Sequence, residues 1–177
     1  MRHLGTRELQ TERLLLRRLR ESDAEELFLG FVNQEEFLYY AHKEARTLEE
    51  EKASLVGIDK KYEEDSYYNW LITLKDSGEI IGQVFLMVNE HNDSVEFSYA
   101  IDKRYTCKGY MTEALERVKA FSLEELEVIR FQGSCCVENI ASRRVMEKCG
   151  LEREGNLRKY LKLRDGYHDM YMFAAVR

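Results

Sequence analysis

Residues 104–114 read Arg-Tyr-Thr-Cys-Lys-Gly-Tyr-Met-Thr-Glu-Ala, a single glycine preceded by a lysine and followed by a helix-forming run. A strand–glycine loop–helix junction of this kind favours an anion. Consecutive loop N–H groups and the unpaired N–H groups of the first helical turn form one concave nest, and the helix dipole adds positive potential there. Gly109 lets the backbone approach a ligand closely. Thr112 can serve the first turn, and Lys108 and Arg104 supply cations. One glycine in an ordinary strand–helix turn looks the same, so the stretch alone does not decide. It matches neither GxxxxGK[ST] nor GxGxxG, which weighs against nucleoside triphosphates and dinucleotides.

Other residues with chemical potential lie on either side of this loop. Glu96 sits on the strand before it and faces opposite to Val95, Phe97 and Tyr99. It is either a proton acceptor or a solvent-facing strand glutamate. Asn139-x-x-Ser142 follows the loop, with Asn139 a good N-cap and Ser142 a first-turn residue. His168-Asp169 opens the last strand as an acceptor-site or structural pair, without a nucleophile beside it. Four cysteines, Cys107, Cys135, Cys136 and Cys149, show neither CxxC spacing nor a metal-ligand pattern. Reduced thiols are expected, with one of Cys135 and Cys136 pointing inward as a small buried hydrophobe. A nucleophilic cysteine needs a base partner that the sequence does not supply. Arg143 and Arg144 could meet phosphates or simply cover a helix surface.

The elements that must position these groups alternate along the chain. Residues 13–19 alternate as a first strand, and Ser22-Asp23 offers an N-cap to a helix containing Leu27, Phe28 and Phe31. Thr47-Leu48-Glu49-Glu50 has capping-box spacing and opens a long helix to about Glu64. Residues 68–74 and 79–88 flank Asp76-Ser77-Gly78, a hairpin signal, and residues 94–101 add a third strand. A helix is expected from Gly109 to about Glu125, a strand over 128–137 and a short helix over 139–149. Strands over 151–162 and 168–176, turning at Asp165-Gly166, close the fold. The order β, α, α, β, β, β, α, β, α, β, β describes a mixed α/β sheet with helices on its faces.

Composition bounds the rest. A chain of 177 residues, 44% hydrophobic and 34% charged, suits one folded domain, 1–177, with a substantial core. No apolar run approaches the ~18–20 residues of a membrane span, and Leu14-Leu15-Leu16 is too short for a signal-peptide core. A cytoplasmic protein that neither enters a membrane nor binds nucleic acid is expected, given the net charge of −6. Residues 139–177 hold nine Lys/Arg against five Asp/Glu, while residues 1–138 hold 18 against 28. That asymmetry suits a site for an anionic cofactor and a cationic substrate, and it also suits ordinary solvated surface. The absence of proline has no functional account.

The chain resembles the GNAT superfamily, in particular the branch of bacterial ribosomal-protein N-terminal acetyltransferases. Residues 11–17, 95–101, 108–114, 137–142, 145–151, 154–155 and 165–169 carry the resemblance, in order and across nearly the whole sequence. It implies a GNAT fold, a mixed and mostly antiparallel sheet splayed at the acyl-CoA site and flanked by helices. It also implies acetyl-CoA as co-substrate with no metal, and an amine acceptor, either a peptide N-terminus or a small amine. The family loop reads Gln/Arg-x-x-Gly-x-Gly/Ala. Aligned on Gly109, this chain has Thr106 and Met111 at the two outer positions and Cys107 where a second glycine is common. Those departures bear on cofactor affinity and raise the question whether Met111 crowds the cofactor. They also admit an acyl-CoA-binding module without turnover.

By the same resemblance, Thr106, Cys107, Lys108, Gly109, Tyr110, Met111, Thr112 and Asn139 bind cofactor. Tyr99, Ala100 and Ile101 border a gap in the sheet that takes the pantetheine arm. Acetylating an amine requires a deprotonated nucleophile, a polarised thioester and a proton for the thiolate. The resemblance assigns Glu96 as base and Ser142 as acid, because Met146 stands where many relatives have an acidic tyrosine. Met146 also leans away from polyamine-type relatives, leaving amino acids, aminoglycosides and polyamines as alternative acceptors. Tyr39, Tyr40 and His42 fall where the family lines its acceptor site, and core packing accounts for them equally. Monomer and homodimer are both compatible with the sequence.

Overall fold

Residues 94–101 alternate polar and apolar side chains and form a strand with those same limits, in which Val95 and Phe97 are buried. The computed structural model describes residues 1–40 and 44–177. Its strands are β1 (Leu9–Gln10), β2 (Leu14–Arg17), β3 (Tyr68–Leu74), β4 (Ile80–Asn89), β5 (Ser94–Ile101), β6 (Arg130–Cys136), β7 (Glu152–Leu163) and β8 (Gly166–Val176). They form one sheet in the order β1-β2-β3-β4-β5-β6-β8-β7. The α-helices among the described residues are α1 (Ala24–Leu29), α2 (Glu35–Tyr40), α3 (Leu48–Leu55), α4 (Ile58–Lys61), α5 (Tyr110–Ala120) and α6 (Ile140–Lys148). This is the mixed, mostly antiparallel sheet that the sequence leads one to expect. No helix among the described residues is long and apolar enough to cross a membrane.

Both sheet faces are covered. Trp70, Ile72, Val84, Leu86, Val95 and Phe97 pack beneath Met111, Ala114, Leu115 and Val118 of α5. On the other face Leu71 and Ile80 meet Leu27, Leu55, Ile58 and Tyr62 from α1, α3 and the segment around α4. Alternate strand residues serve opposite faces, so the side on which each site residue lies follows from its register.

The boundaries differ from expectation where local chemistry intervenes. The helix expected through residue 64 breaks into α3 and α4 at Gly57, whose φ of 73° leaves the helical region. Its start is as expected: Thr47 and Glu50 form a reciprocal capping box. Asp23 does not cap α1. Its carboxylate accepts the Arg20 N–H at 2.8 Å and both terminal nitrogens of Arg17 at 2.8 and 2.9 Å. α1 stops at Leu29, yet Phe31 is buried from the turn beyond it. α5 stops at Ala120 and continues as a π-turn over Phe121–Glu125, which brings Phe121 and Leu126 into the core.

One departure from regular pairing matters most. β5 and β6 are parallel, unlike every other neighbouring pair, and they bond only from Ser94↔Arg130 to Glu96↔Gln132. Both strands then continue apart, β5 to Ile101 and β6 to Cys136. At the fork the Phe97 ring fills the space beside Gly133, where an added Cβ would lie 2.4 Å from it. Phe97 also stacks on Phe131 at 4.6 Å.

Candidate active site

The glycine loop hangs from the diverging end of β5. Asp102 is fully buried and caps the turn Lys103–Tyr105, accepting from the Arg104 N–H at 2.8 Å and from its guanidinium at 2.8 and 3.0 Å. Glu79 accepts the Tyr105 hydroxyl at 2.5 Å and lies 3.2 Å from Arg104. Arg104 is therefore held by two carboxylates and braces the turn. Thr106 Oγ1 donates to the Lys103 carbonyl at 2.9 Å, so its side chain also serves the turn.

Cys107 and Gly109 have φ of 60° and 82°, and these left-handed residues on either side of Lys108 swing the chain into α5. The arginine just before β2 braces the bend: Arg13 Nη1 donates to the Lys108 carbonyl at 3.1 Å, and its guanidinium lies 4.3 Å over the Tyr110 ring. Arg13 Nε also meets Glu113 at 2.7 Å, and Glu113 accepts the Thr11 hydroxyl and the Arg13 N–H. Burial opposes ionisation of Glu113, but these hydrogen bonds outweigh it and hold the carboxyl below its ordinary value. The first α5 bond runs from the Glu113 N–H to the Gly109 carbonyl at 3.0 Å. The amides of Gly109, Tyr110, Met111 and Thr112 precede it and are those left over at any helix start. Met111 is buried in the core beneath α5, so the backbone, not the side chain, is what it offers the loop.

The fork is tied together by backbone and side chain. Asn139 caps α6 by accepting the Ser142 N–H at 3.0 Å, as its sequence position suggests. The Tyr99 hydroxyl donates to the Ser142 carbonyl at 3.2 Å, joining β5 beyond the fork to the first turn of α6. Burial pushes that hydroxyl far above the ordinary tyrosine value, so it stays protonated. Tyr99 and Ile101 face the α5 side, and Ala100 packs on the α1 side. Glu96 also faces the α1 side, half-buried, and accepts from Gln132 Nε2 at 3.3 Å.

Cys135 and Cys136 are both buried, one on each sheet face, where a single inward thiol was expected. Burial raises the Cys135 thiol to about 11 and that of Cys149 to about 12. Neither is a ready nucleophile.

A polar cluster closes the α1 side at the end of β6. The Tyr39 hydroxyl donates to Asp165 at 2.8 Å and lies 3.3 Å from His168 Nε2. The same nitrogen is 2.9 Å from Asp165 Oδ1, and Nδ1 is 3.7 Å from Glu138. Burial and the Asp165 contact push the Tyr39 hydroxyl to about 12; the Asp165 hydrogen bond raises the His168 imidazole. The expected His168-Asp169 pair does not form, since adjacent strand residues point to opposite faces; Asp169 accepts the Lys159 N–H at 2.7 Å instead. Tyr40 meets Tyr39 edge-on at 5.0 Å and stays partly exposed. His42 lies outside the described residues. Arg143 Nε, itself buried, lies 3.7 Å from Glu147 one turn along α6.

Sequence reasoning missed the Arg13–Glu113 brace, the Tyr99–Ser142 tie and the partnership of Glu138, Asp165 and His168. Only the i,i+3 spacing of Asp165 and His168 offered a local signal.

Residues 13–152 match the family model described as an acetyltransferase (GNAT) domain. The chain is 27% identical over 170 residues to the uncharacterized N-acetyltransferase YoaA of Bacillus subtilis (strain 168), covering 96% of each. It is 28% identical over 99 residues to the ribosomal-protein-serine acetyltransferase of Escherichia coli (strain K12), covering 55% of each. Its fold is similar to that of RimL, a ribosomal L7/L12 alpha-N-protein acetyltransferase in complex with coenzyme A. That likeness has a TM-score of 0.83 at 20% identity, covering 96% of this chain and 98% of that one.

Proposed function

The chain belongs to the GNAT acetyltransferase family, and from that premise we propose that it moves acetyl from acetyl-CoA directly to a primary amine, with a protein N-terminus as acceptor class. The observation that carries this reading is a coincidence at one end of β5. There the pairing with β6 stops at Glu96↔Gln132, and the chain leads straight into the Cys107–Gly109 bend and the start of α5.

The residues present fit such a cofactor. The amides of Gly109, Tyr110, Met111 and Thr112, with Lys108 beside them, offer donors to a pyrophosphate. The buried side chain of Met111 and the turned-back side chain of Thr106 leave that concavity to the backbone, alongside Cys107. The β5 edge at Tyr99, Ala100 and Ile101 borders the fork, and Asn139 fixes the opposite wall by capping α6. Bound acetyl-CoA supplies an activated thioester carbonyl and a thiolate leaving group.

Glu96, on the α1 side and oriented by Gln132, takes the amine proton directly or through one water. Ser142 returns a proton at the departing sulfur. Tyr99 and Asn139 hold its backbone from both sides. The raised thiols of Cys135 and Cys149 support direct transfer in a ternary complex over an acyl-cysteine route.

Calorimetry with acetyl-CoA, followed by a thiol-release screen of peptides, polyamines, amino acids and aminoglycosides, tests the reading. Saturable binding with turnover on peptide N-termini is expected. No binding at millimolar cofactor would overturn the cofactor assignment, and turnover confined to small amines would overturn the acceptor class. The small-amine reading has one supporting observation: Glu96, Glu138 and Asp165 gather negative charge on the acceptor side.

A further inference from the structure

Three ligand types converge where β6 ends. Cys136 closes that strand, Glu138 follows two residues later, and His168 comes from β8, two residues before the Met170 that pairs with Cys136. One coordinating atom from each of the three lies within 4.8 Å of the other two, and His168 Nδ1 is 3.7 Å from Glu138 Oε2. Metal–ligand bonds of about 2.0–2.3 Å give a tetrahedral zinc site ligand separations of roughly 3.3–3.8 Å, so only small side-chain adjustments separate this arrangement from a closed site.

We propose that Cys136, Glu138 and His168 form a binding site for a thiophilic divalent cation of the Zn²⁺ class, with one coordination position left to water.

The surroundings support a metal site over a chance meeting of polar groups. His168 turns its other nitrogen, Nε2, to Asp165 Oδ1 at 2.9 Å, and Asp165 is itself fixed by the Tyr39 hydroxyl at 2.8 Å. A carboxylate on the far nitrogen fixes the tautomer with Nδ1 bare, which is the arrangement behind zinc-bound histidines. One thiol, one imidazole and one carboxylate select Zn²⁺ over the hard cations Mg²⁺ and Ca²⁺. Cys136 is 3% exposed among Leu163 and Met170, while the Glu138 side chain is 64% exposed, so the apolar flank and an entry path coexist. On binding, the Cys136 S–H bond breaks, the sulfur forms its bond to the metal, and the proton leaves to solvent. The site shares a sheet face with Glu96, four β6 residues along from Glu96's partner Gln132.

Cobalt(II) is the probe, since its thiolate complexes absorb by charge transfer in the near ultraviolet and its tetrahedral complexes absorb in the visible. The full chain, reduced and freed of metal by chelation, is titrated with Co²⁺ without any acyl donor, so the outcome is independent of the proposed reaction. One equivalent with a thiolate band, displaced by Zn²⁺, is expected. Cys136→Ser should abolish the band, and Glu138→Gln should weaken binding at least tenfold. Asp165→Asn should weaken it about 10- to 100-fold, and Cys107→Ser should leave it intact. Should Cys136→Ser fail to fold, the exposed Glu138→Gln substitution still decides. No band at excess Co²⁺, or a band indifferent to Glu138→Gln and Asp165→Asn, would overturn the site.

Discussion

The backbone of Ser142 is tied on both sides: its N–H donates to Asn139 Oδ1 and its carbonyl accepts from the Tyr99 hydroxyl. Ser142→Ala keeps both backbone bonds, so it probes the acid role with the first turn of α6 still anchored. If Ser142 protonates the thiolate, kcat should fall by about 10²–10⁴-fold while the calorimetric affinity for acetyl-CoA stays within a factor of a few. Unchanged kcat would remove it from that role. Asn139→Ala should act differently, costing about 1 kcal/mol of stability through the lost cap, readable as a lower midpoint in urea.

Glu113 carries a prediction of another kind, also at the level of one side chain. Its folded-state pKa lies below the ordinary 4.5, because the hydrogen bonds from Thr11 and Arg13 outweigh the opposing effect of burial. A carboxyl depressed in the folded state contributes stability that is present above its unfolded pKa and lost as pH falls through the folded one. The contribution of the brace should thus be complete at neutral pH, begin to fall as the pH drops below about 4.5, and be lost once the pH passes the lower folded-state value. Glu113→Gln should lower the melting temperature at pH 7, and the gap from the unsubstituted protein should close on acidification. A gap that does not change with pH would show that the Arg13 contact contributes nothing through its charge.

At the scale of elements the fork between β5 and β6 is the decisive feature, and Gly133 sits at its apex. An alanine there places a Cβ 2.4 Å from the Phe97 ring. That ring is 3% exposed and stacked on Phe131, so it has little room to move. Gly133→Ala should cost about 1–3 kcal/mol, and it should weaken acetyl-CoA binding as well, because relief requires shifting the strand that borders the gap. A variant destabilised without loss of affinity would separate Gly133 from the shape of the fork.

The elements also explain what could be read from the chain beforehand. β5 was legible to the residue because alternation and flanking turns are local signals, and the cap at Asn139 and the capping box at Thr47 are equally local. β1 is only two residues long and owes its existence to pairing with β2, so no periodicity announces it. The break at Gly57 depends on a left-handed backbone that a helical pattern does not reveal. In the site, the glycine loop was legible because it is contiguous. The Arg13–Glu113 brace joins residues 100 positions apart, and only the folded sheet brings them together. His168 was paired with Asp169, its neighbour in sequence, whereas its hydrogen-bond partner in the fold is Asp165, its neighbour across the turn.

At the scale of the whole molecule, charge is distributed by face. The helices α1 to α3 open on acidic residues: Glu25 and Glu26, Glu35 and Glu36, and Glu49, Glu50 and Glu51. α1 and α3 cover the sheet face that also carries Glu96. The β7–β8 hairpin carries Arg153, Arg158, Lys159, Lys162 and Arg164 at its far edge. A positively charged amine approaching the Glu96 side therefore meets attraction before contact, whether it is a protein N-terminus or a small polycation. Such steering is screened over about 8–10 Å at physiological salt. With acetyl-CoA saturating, kcat/KM for a cationic acceptor should fall several-fold between 20 mM and 300 mM salt (about a threefold to tenfold range for steered encounters). For the same acceptor kcat should change little. Replacing Glu35 and Glu36 with glutamine, both on α2 beside the Tyr39 cluster, should flatten that dependence without altering kcat. If salt instead lowers kcat and leaves kcat/KM unchanged, the acidic face has no part in acceptor capture, and the amine must be recognised by contacts within the fork.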